Sequence, residues 1–463
     1  MFQMRERRST GGREVLGGLT TFMAMSYILF VQPAVLSKVG MDAGGVFMAT
    51  CIASGVACIL MGLLANYPIA LAPGMGENFF FVFTLCGVGA AVGTFKLTWQ
   101  EALALTAATG LLFLALSLVG FRSRLLNAIP DSLKSGIAAG IGLFITLIGF
   151  EWGNIICSHP ATLVQLAKMH GNYVAVVTLI GLAVTLALTA WRVKGAILLG
   201  ILITTGATWL AGIIVGQETI LFPEHFELPG GLSHTAGQLA GGFGSIWQSL
   251  LSENWVHVVT FAFILLFMDL FDTVGTLVGV ASRANLIKGG KLERAEKALS
   301  ADAAGTVIGA CLGTSTVTSY IESVTGVQAG ARTGLAAIVT GLCMLLSLLA
   351  WPIVKMVGGG VNIGQDAFGA PIIRYPMIAP ALIVVGSLMV RAIREVKWDD
   401  ITESLPAFLT MVTMPFAYSI SAGIAIGFVS YAVGKILTGR ARECPKIVYV
   451  FAALFVAQYA LTP

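Results

Sequence analysis

Charge is scarce in this chain. Asp, Glu, Lys and Arg supply 11% of its 463 residues, against about 25% in soluble globular domains. A solvated globular fold is excluded, because too few polar groups remain to cover its surface. Histidine is also sparse, and the five present show no ligand pairing. The seven cysteines (Cys51, Cys58, Cys86, Cys157, Cys311, Cys343, Cys444) are odd in number and lack metal-ligand spacing. They read as small core hydrophobes, so no metal or cofactor is expected. The net charge of +4 comes from Lys and Arg clustered at the ends of apolar runs. A nucleic-acid-binding face therefore has no support.

Apolar runs long enough to cross a bilayer recur along the whole chain. The first begins near Leu16 without a small-residue cleavage site, and reads as a retained span. Spans are expected near 16–37, 46–65, 69–93, 99–120, 131–150, 173–191 and 195–215. A polar stretch, 216–254, follows. Further spans are expected near 255–280, 297–313, 314–328, 331–351 and 376–393. The run 404–437 should hold two segments split near Ser419-Ile-Ser421, and 447–461 is a last apolar piece.

Basic residues set the orientation. Arg5, Arg7, Arg8 and Arg13 precede the first span; Arg122 and Arg124 follow the fourth. Stretch 216–254 has no Lys or Arg. This pattern predicts a cytoplasmic N-terminus in a cytoplasmic membrane. Seven spans precede the polar stretch, so a repeated second half would be inverted. Each half then reaches a short, interrupted hydrophobic segment. One is Ala72-Pro-Gly-Met-Gly-Glu-Asn-Phe-Phe-Phe81 and the other ends at Glu322. Paired interruptions of this kind point to the binding site of a secondary transporter.

The second interruption alternates Thr314, Thr316 and Thr318 with Ser315, Val317 and Ser319. Period two with β-branched residues predicts a short extended stretch. A half-helix should then start near Glu322-Ser323, presenting unpaired N–H groups. A carboxylate at that depth is costly and reads as functional. In the first interruption Pro73, Gly74 and Gly76 stop a continuous helix. Asn78 is a candidate ligand contact, and one of Phe79 and Phe80 is expected to face inward and stack on a flat ring. Glu77 reads either as a ligand contact or as facing a vestibule.

The eighth span carries Asp269 and Asp272 three residues apart, hence on one helical face, with Thr276 a turn beyond Asp272. Either acid is a candidate for proton coupling. Asp302 opens the ninth span, and reads as a bond to nearby broken backbone or as part of a proton route. Gly55, Gly62, Gly136, Gly140 and Gly142 look like close helix contacts.

Several segments together resemble a known family. They are Leu19-Thr-Thr-Phe-Met-Ala-Met-Ser-Tyr27, Ala72-Pro-Gly-Met-Gly-x-Asn78, Leu270-Phe-Asp-x-x-Gly-Thr-Leu277, Gly313-Thr-Ser-x-Val-Thr-x-Tyr-Ile-Glu-Ser323 and Gly330-x-Arg-Thr-Gly-Leu335. These resemble the AzgA-like purine permeases of the nucleobase/cation symporter superfamily. The resemblance implies an all-α polytopic fold of about fourteen segments in two inverted seven-segment repeats, with short strands and half-helices in segments three and ten. It implies a core domain from 14–120 and 255–351, and a gate domain from 121–215 and 352–463 that often forms a homodimer. The stretch 216–254 would be the extracytoplasmic connection. It implies Glu322, Asp272, Asn78 and Thr276 as substrate contacts, and the two interruptions add Phe79, Phe80, Ser319 and Ile321 as candidates. Asp272, Asp269, Glu322 and Asp302 are the coupling candidates. Glu77 departs from the aliphatic residue expected before the Asn.

The expected function is import of a purine base with protons by alternating access. Alternatives are a xanthine, uracil or anion carrier on the same fold, a channel, and an intramembrane aspartyl hydrolase using Asp269 or Asp272. The acidic site disfavours the anion carrier.

Overall fold

The computed structural model describes residues 2–89, 94–118, 129–159, 161–217, 219–220, 226–284, 286–288, 291–365 and 371–461. Arg122, Arg124 and the ends of two expected spans, at 90–93 and 119–120, lie outside the described residues. Helix dominates, as lipid demands: a backbone in hydrocarbon must satisfy its own N–H and C=O groups. Among the described residues, nine helices are long and apolar enough to cross a membrane, from Gly11–Val39 to Ile420–Leu437.

Several expected spans are not single long helices, and the reasons are local. The first segment is two helices, Gly11–Met25 and Ile28–Leu36, parted at Ser26-Tyr27. The run 404–437 does divide, into Ile401–Phe416 and Ile420–Leu437. Tyr418 takes a left-handed φ of 50° there, and the Ser419 hydroxyl caps the next helix by accepting from the Ala422 N–H at 3.2 Å. Lys446–Leu461 forms a further helix. The stretch 216–254 is more ordered than its polarity suggested. It carries a helix, Leu239–Leu251, which packs on Trp99–Leu118 through Gly242. Two antiparallel strand pairs, Ile156–His159 with Leu163–Leu166 and Val361–Gln365 with Pro371–Arg374, were also not foreseen.

The two halves of the chain interlock. Gly11–Met25 and Ala43–Leu60 pack on Gly334–Leu346, and Trp99–Leu118 packs on Ala295–Leu312. Separately, Asp131–Trp152 packs on Ala379–Met389 and Ile401–Phe416. Small residues set the spacing. A Cβ at Gly62 would stand 2.5 Å from the Gly334 carbonyl, and one at Gly142 would stand 2.6 Å from the Gly386 carbonyl. Those helices therefore meet backbone to backbone.

Both interruptions leave the helical pattern at the same place. Leu71–Pro73 pairs antiparallel with Val317–Ser319, in the register Leu71↔Ser319, Ala72↔Thr318, Pro73↔Val317. The ladder extends by one bond at each end: the Tyr320 N–H to the Ala70 carbonyl and the Gly74 N–H to the Thr316 carbonyl, both 2.9 Å. Each strand thus satisfies the other's backbone at a depth where water cannot. Beyond Gly74 a half-helix runs from Met75 through Leu85, its second part in wide π turns. Beyond Glu322 the other half-helix covers Ser323–Gln328. The sequence placed both the extended stretch and this helix start correctly.

Candidate functional site

The crossing strands face a cavity of about 180 Å³. That volume is below the roughly 300 Å³ lower end of drug-sized pockets, and suits a small ring system. Its polar lining is Tyr27, Asp272, Thr276, Thr318, Ser319 and Glu322, with Tyr320 alongside. Gly74, Met75 and Gly76 bring the start of the first half-helix to its wall. Val385, Leu388 and Met389 join the lining from another helix, Ala379–Met389, and Ile321 completes it.

Glu322 occupies the N-cap position of the second half-helix and opens to the cavity. It is held there by Tyr27, whose hydroxyl donates to Glu322 Oε1 at 2.9 Å. Tyr27 can reach it because the first segment breaks at that residue. Tyr320 lies beside it, with ring centroids 6.5 Å apart, and its hydroxyl donates to the Pro73 carbonyl at 2.5 Å. One tyrosine thus orients the acid, and the other fastens the second interruption to the first.

Asp272 and Thr276 reach the same cavity from Trp255–Arg283. Asp269, on the same helix, is not among the lining residues; its Oδ1 lies 3.5 Å from the Thr273 hydroxyl. Asp302 is fully buried and ties the second strand down. It accepts from the Ser319 hydroxyl at 2.9 Å and from the Thr273 hydroxyl at 2.7 Å. Ser319 lines the cavity, but its proton is committed to Asp302.

The first interruption is arranged differently from expectation. Asn78 is fully buried and is not among the lining residues. Its Oδ1 accepts from the Ser315 hydroxyl, in a polar layer that includes Gln32, whose Nε2 donates to Thr314 at 2.9 Å and Ser315 at 3.0 Å. Phe79 stacks on Phe83 at 5.8 Å, and Phe80 meets Phe261 edge-on at 6.4 Å. Neither phenyl lines the cavity. The half-helix turns these three side chains into the surrounding packing and gives the cavity its backbone turn instead. The tyrosines 27 and 320 bring the aromatic rings.

Glu77 lies behind that turn. It is fully buried, and neither carboxylate oxygen finds a hydrogen-bond donor. With Asp272 and Lys134 it lines a second, smaller cavity of about 30 Å³. Asp272 therefore borders both cavities.

Tyr27, Tyr320 and the wall at Val385–Met389 were missed as site residues. A signal existed for the tyrosines, since both fall in the motifs quoted above. The wall at Val385, Leu388 and Met389 lies in a predominantly apolar run and carries none.

Comparison with known proteins agrees with this architecture. The sequence matches the Permease family over residues 12–426. It is 42% identical to the guanine/hypoxanthine permease PbuG of Bacillus subtilis, covering 99% of this chain and 98% of that one. It is 38% identical to the adenine permease AdeP of Escherichia coli, over 98% and 94% of the two chains, and 33% identical to the nucleobase transporter PlAzg2 of Paenibacillus larvae, over 91% and 77%. Among solved structures, the transmembrane domain of the cyanobacterial bicarbonate transporter BicA aligns with a TM-score of 0.60 at 13% identity, covering 90% of this chain and 96% of that one. That likeness concerns the fold alone. With the paired interruptions, the matching motifs and these relatives in agreement, the chain belongs to the Permease family, on its AzgA-like branch, and is a multi-pass membrane transporter rather than an enzyme.

Proposed function

We propose that this permease imports purine nucleobases with protons across the cytoplasmic membrane by alternating access. The observation that carries the reading is the composition of the cavity wall. Glu322, Asp272, Thr276 and the two crossing strands line it together with Val385, Leu388 and Met389 of another helix. The first group belongs to segments 14–120 and 255–351, the proposed core. The second belongs to 352–463, which with 121–215 is the proposed gate. A substrate held at that seam moves with the core when the core slides, elevator-like, against the gate. A homodimer through the gate would keep the gate still.

The chemistry suits a purine. The ring is flat and neutral, edged with N–H donors and ring-nitrogen acceptors. Glu322 and Asp272 accept N–H bonds, Thr276 and the first half-helix offer donors, and the tyrosines and apolar wall contact the ring faces. Buried groups arranged for those bonds reject analogues lacking them, because an unpaired polar group is costly. The lining contains two carboxylates and no Lys or Arg, which weighs against an anion despite the fold shared with a bicarbonate transporter.

The test is competition uptake into proteoliposomes with adenine, guanine, hypoxanthine, xanthine and uracil. Purines should compete and uracil should not. Accelerated exchange with excess unlabelled purine inside distinguishes a carrier from a channel. Uptake that persists after the proton gradient is collapsed, without sodium, removes the coupling claim.

A further inference from the structure

Glu77 is a carboxyl group for which purine binding has no use. It is sealed from solvent, and no protein donor reaches either oxygen. The Asp272 carboxyl comes within hydrogen-bonding reach of it. Two ionised carboxylates offer acceptors only, so that approach is unfavourable unless a proton lies between them. Space for the arrangement is built in: a Cβ at Gly74 would collide with Glu77 Oε2 and stand 2.7 Å from Thr318 Cγ2.

The surroundings are charged on several sides. Asp269 and Asp302 act on Glu77 from the eighth and ninth segments. Tyr320 and Glu322 face the pair from the tenth, with Tyr27 of the first bonded to Glu322. Lys134, from the fifth segment, shares the small cavity with Glu77 and Asp272. The remaining wall of that cavity is hydrocarbon: Ile137, Ala138, Ile141, Phe267, Met268 and Phe271. A hard cation needs several oxygen ligands around it, and this wall has none to add. A proton needs only the two carboxyls. Lys134 also lines a larger polar cavity of about 350 Å³, with Asp131, Lys397, Glu403, Lys435 and Glu443.

We propose that Glu77 and Asp272 hold one coupling proton between them, and that Glu77 passes it to the rear cavity and out past Lys134. The proposal rests on the proton-coupled reading and names the group that does the coupling. With the proton on Glu77, Asp272 stays an acceptor for a purine N–H. Release breaks one O–H bond on Glu77 and forms one on a water in the rear cavity; nothing is oxidised or reduced. Two carboxylates then repel each other, and Asp272 loses its place at the purine. The Lys134 ammonium gives the newly ionised group a cation to face.

Proteoliposomes containing the full chain, loaded and challenged with adenine, guanine and hypoxanthine in turn, provide the test. One proton per purine accumulates substrate about tenfold across a gradient of about one pH unit. Glu77→Gln supplies a permanent N–H donor to Asp272 and no transferable proton. It should retain counterflow at a reduced rate and lose pH-driven accumulation, together with the proton flux seen by a trapped pH dye. Accumulation like that of the unaltered chain overturns the proposal. So does accumulation driven by sodium alone. Absence of counterflow with all three purines in the unaltered chain removes the purine reading itself, and this inference with it. A second measurement needs no variant: the unaltered protein at neutral pH should show the infrared carbonyl band of a buried protonated carboxylic acid. A spectrum without that band also refutes the shared proton.

Discussion

The two interruptions share a backbone plan and divide the chemistry unequally. Each is a three-residue strand followed by a half-helix, and the strands bond to each other. The second turns its acid, Glu322, into the cavity and fastens it with Tyr27. The first turns its acid, Glu77, away into a separate small cavity shared with Asp272 and Lys134, and gives the larger cavity only its backbone turn. On the proposed reading, a repeated scaffold separates two tasks, one face for recognising a ligand and one for handling a charge.

Substitutions can break that division or sharpen it. The largest effect should come from Glu322→Gln. Loss of a charged acceptor to a ligand N–H costs about 2–3 kcal/mol, or roughly 30- to 150-fold in affinity. Purine binding to purified protein measures it, and normal affinity with normal proton dependence would remove Glu322 from the site. Asn78→Ala should act on the scaffold. Leaving Ser315 without its acceptor costs about 1–3 kcal/mol of stability, read as a lower melting temperature in detergent. A larger loss of affinity than of stability would return Asn78 to the cavity. Tyr27→Phe deletes one donor to Glu322 and should weaken binding by about 1 kcal/mol, or roughly fivefold. It should leave the number of protons per purine as it was.

The smallest change is expected outside both interruptions. Asp400 caps Ile401–Phe416 by accepting from the Thr402 N–H and pairs with Arg440 at 2.8 Å. The Thr402 hydroxyl and the Arg440 guanidinium, in that order, hold its carboxyl down at about 2. A depressed carboxyl stabilises the fold above its unfolded value and loses that contribution as pH falls toward 2. Asp400→Asn should therefore lower the melting temperature slightly at pH 7, and the difference should shrink on acidification. Purine affinity should not follow it.

Much of this plan was legible because broken helices leave strong local marks. Pro73 and Gly74 interrupt a helix, and the Thr/Ser alternation at 314–319 favours extended backbone, which pairs as a strand at Val317–Ser319. Glu322 stood out because its surroundings are apolar. What stayed hidden depends on rotation and on distant partners. Within Glu77-Asn-Phe-Phe80 each successive side chain points about 100° from the last, and composition cannot say which faces the cavity. Asp302 carried two readings, a bond to the nearby broken segment or a place in a proton route, and only the fold shows that hydroxyls from the eighth segment and the second strand converge on it. The helix at Leu239–Leu251 was hidden by its glycines, of which the packing on Gln100 requires Gly242.

The strand pair also bears on how the chain is made. Leu71 bonds opposite Ser319, so the first strand must wait for its partner while most of the protein is still to be synthesised. During that wait its N–H and C=O groups face lipid or the insertion machinery without a ladder, and closing so long a loop is slow. A ribosome stalled before residue 319 should therefore leave the first interruption exposed to membrane-embedded crosslinkers. Synthesis far enough past residue 319 to bring the second strand out of the ribosome would bury it.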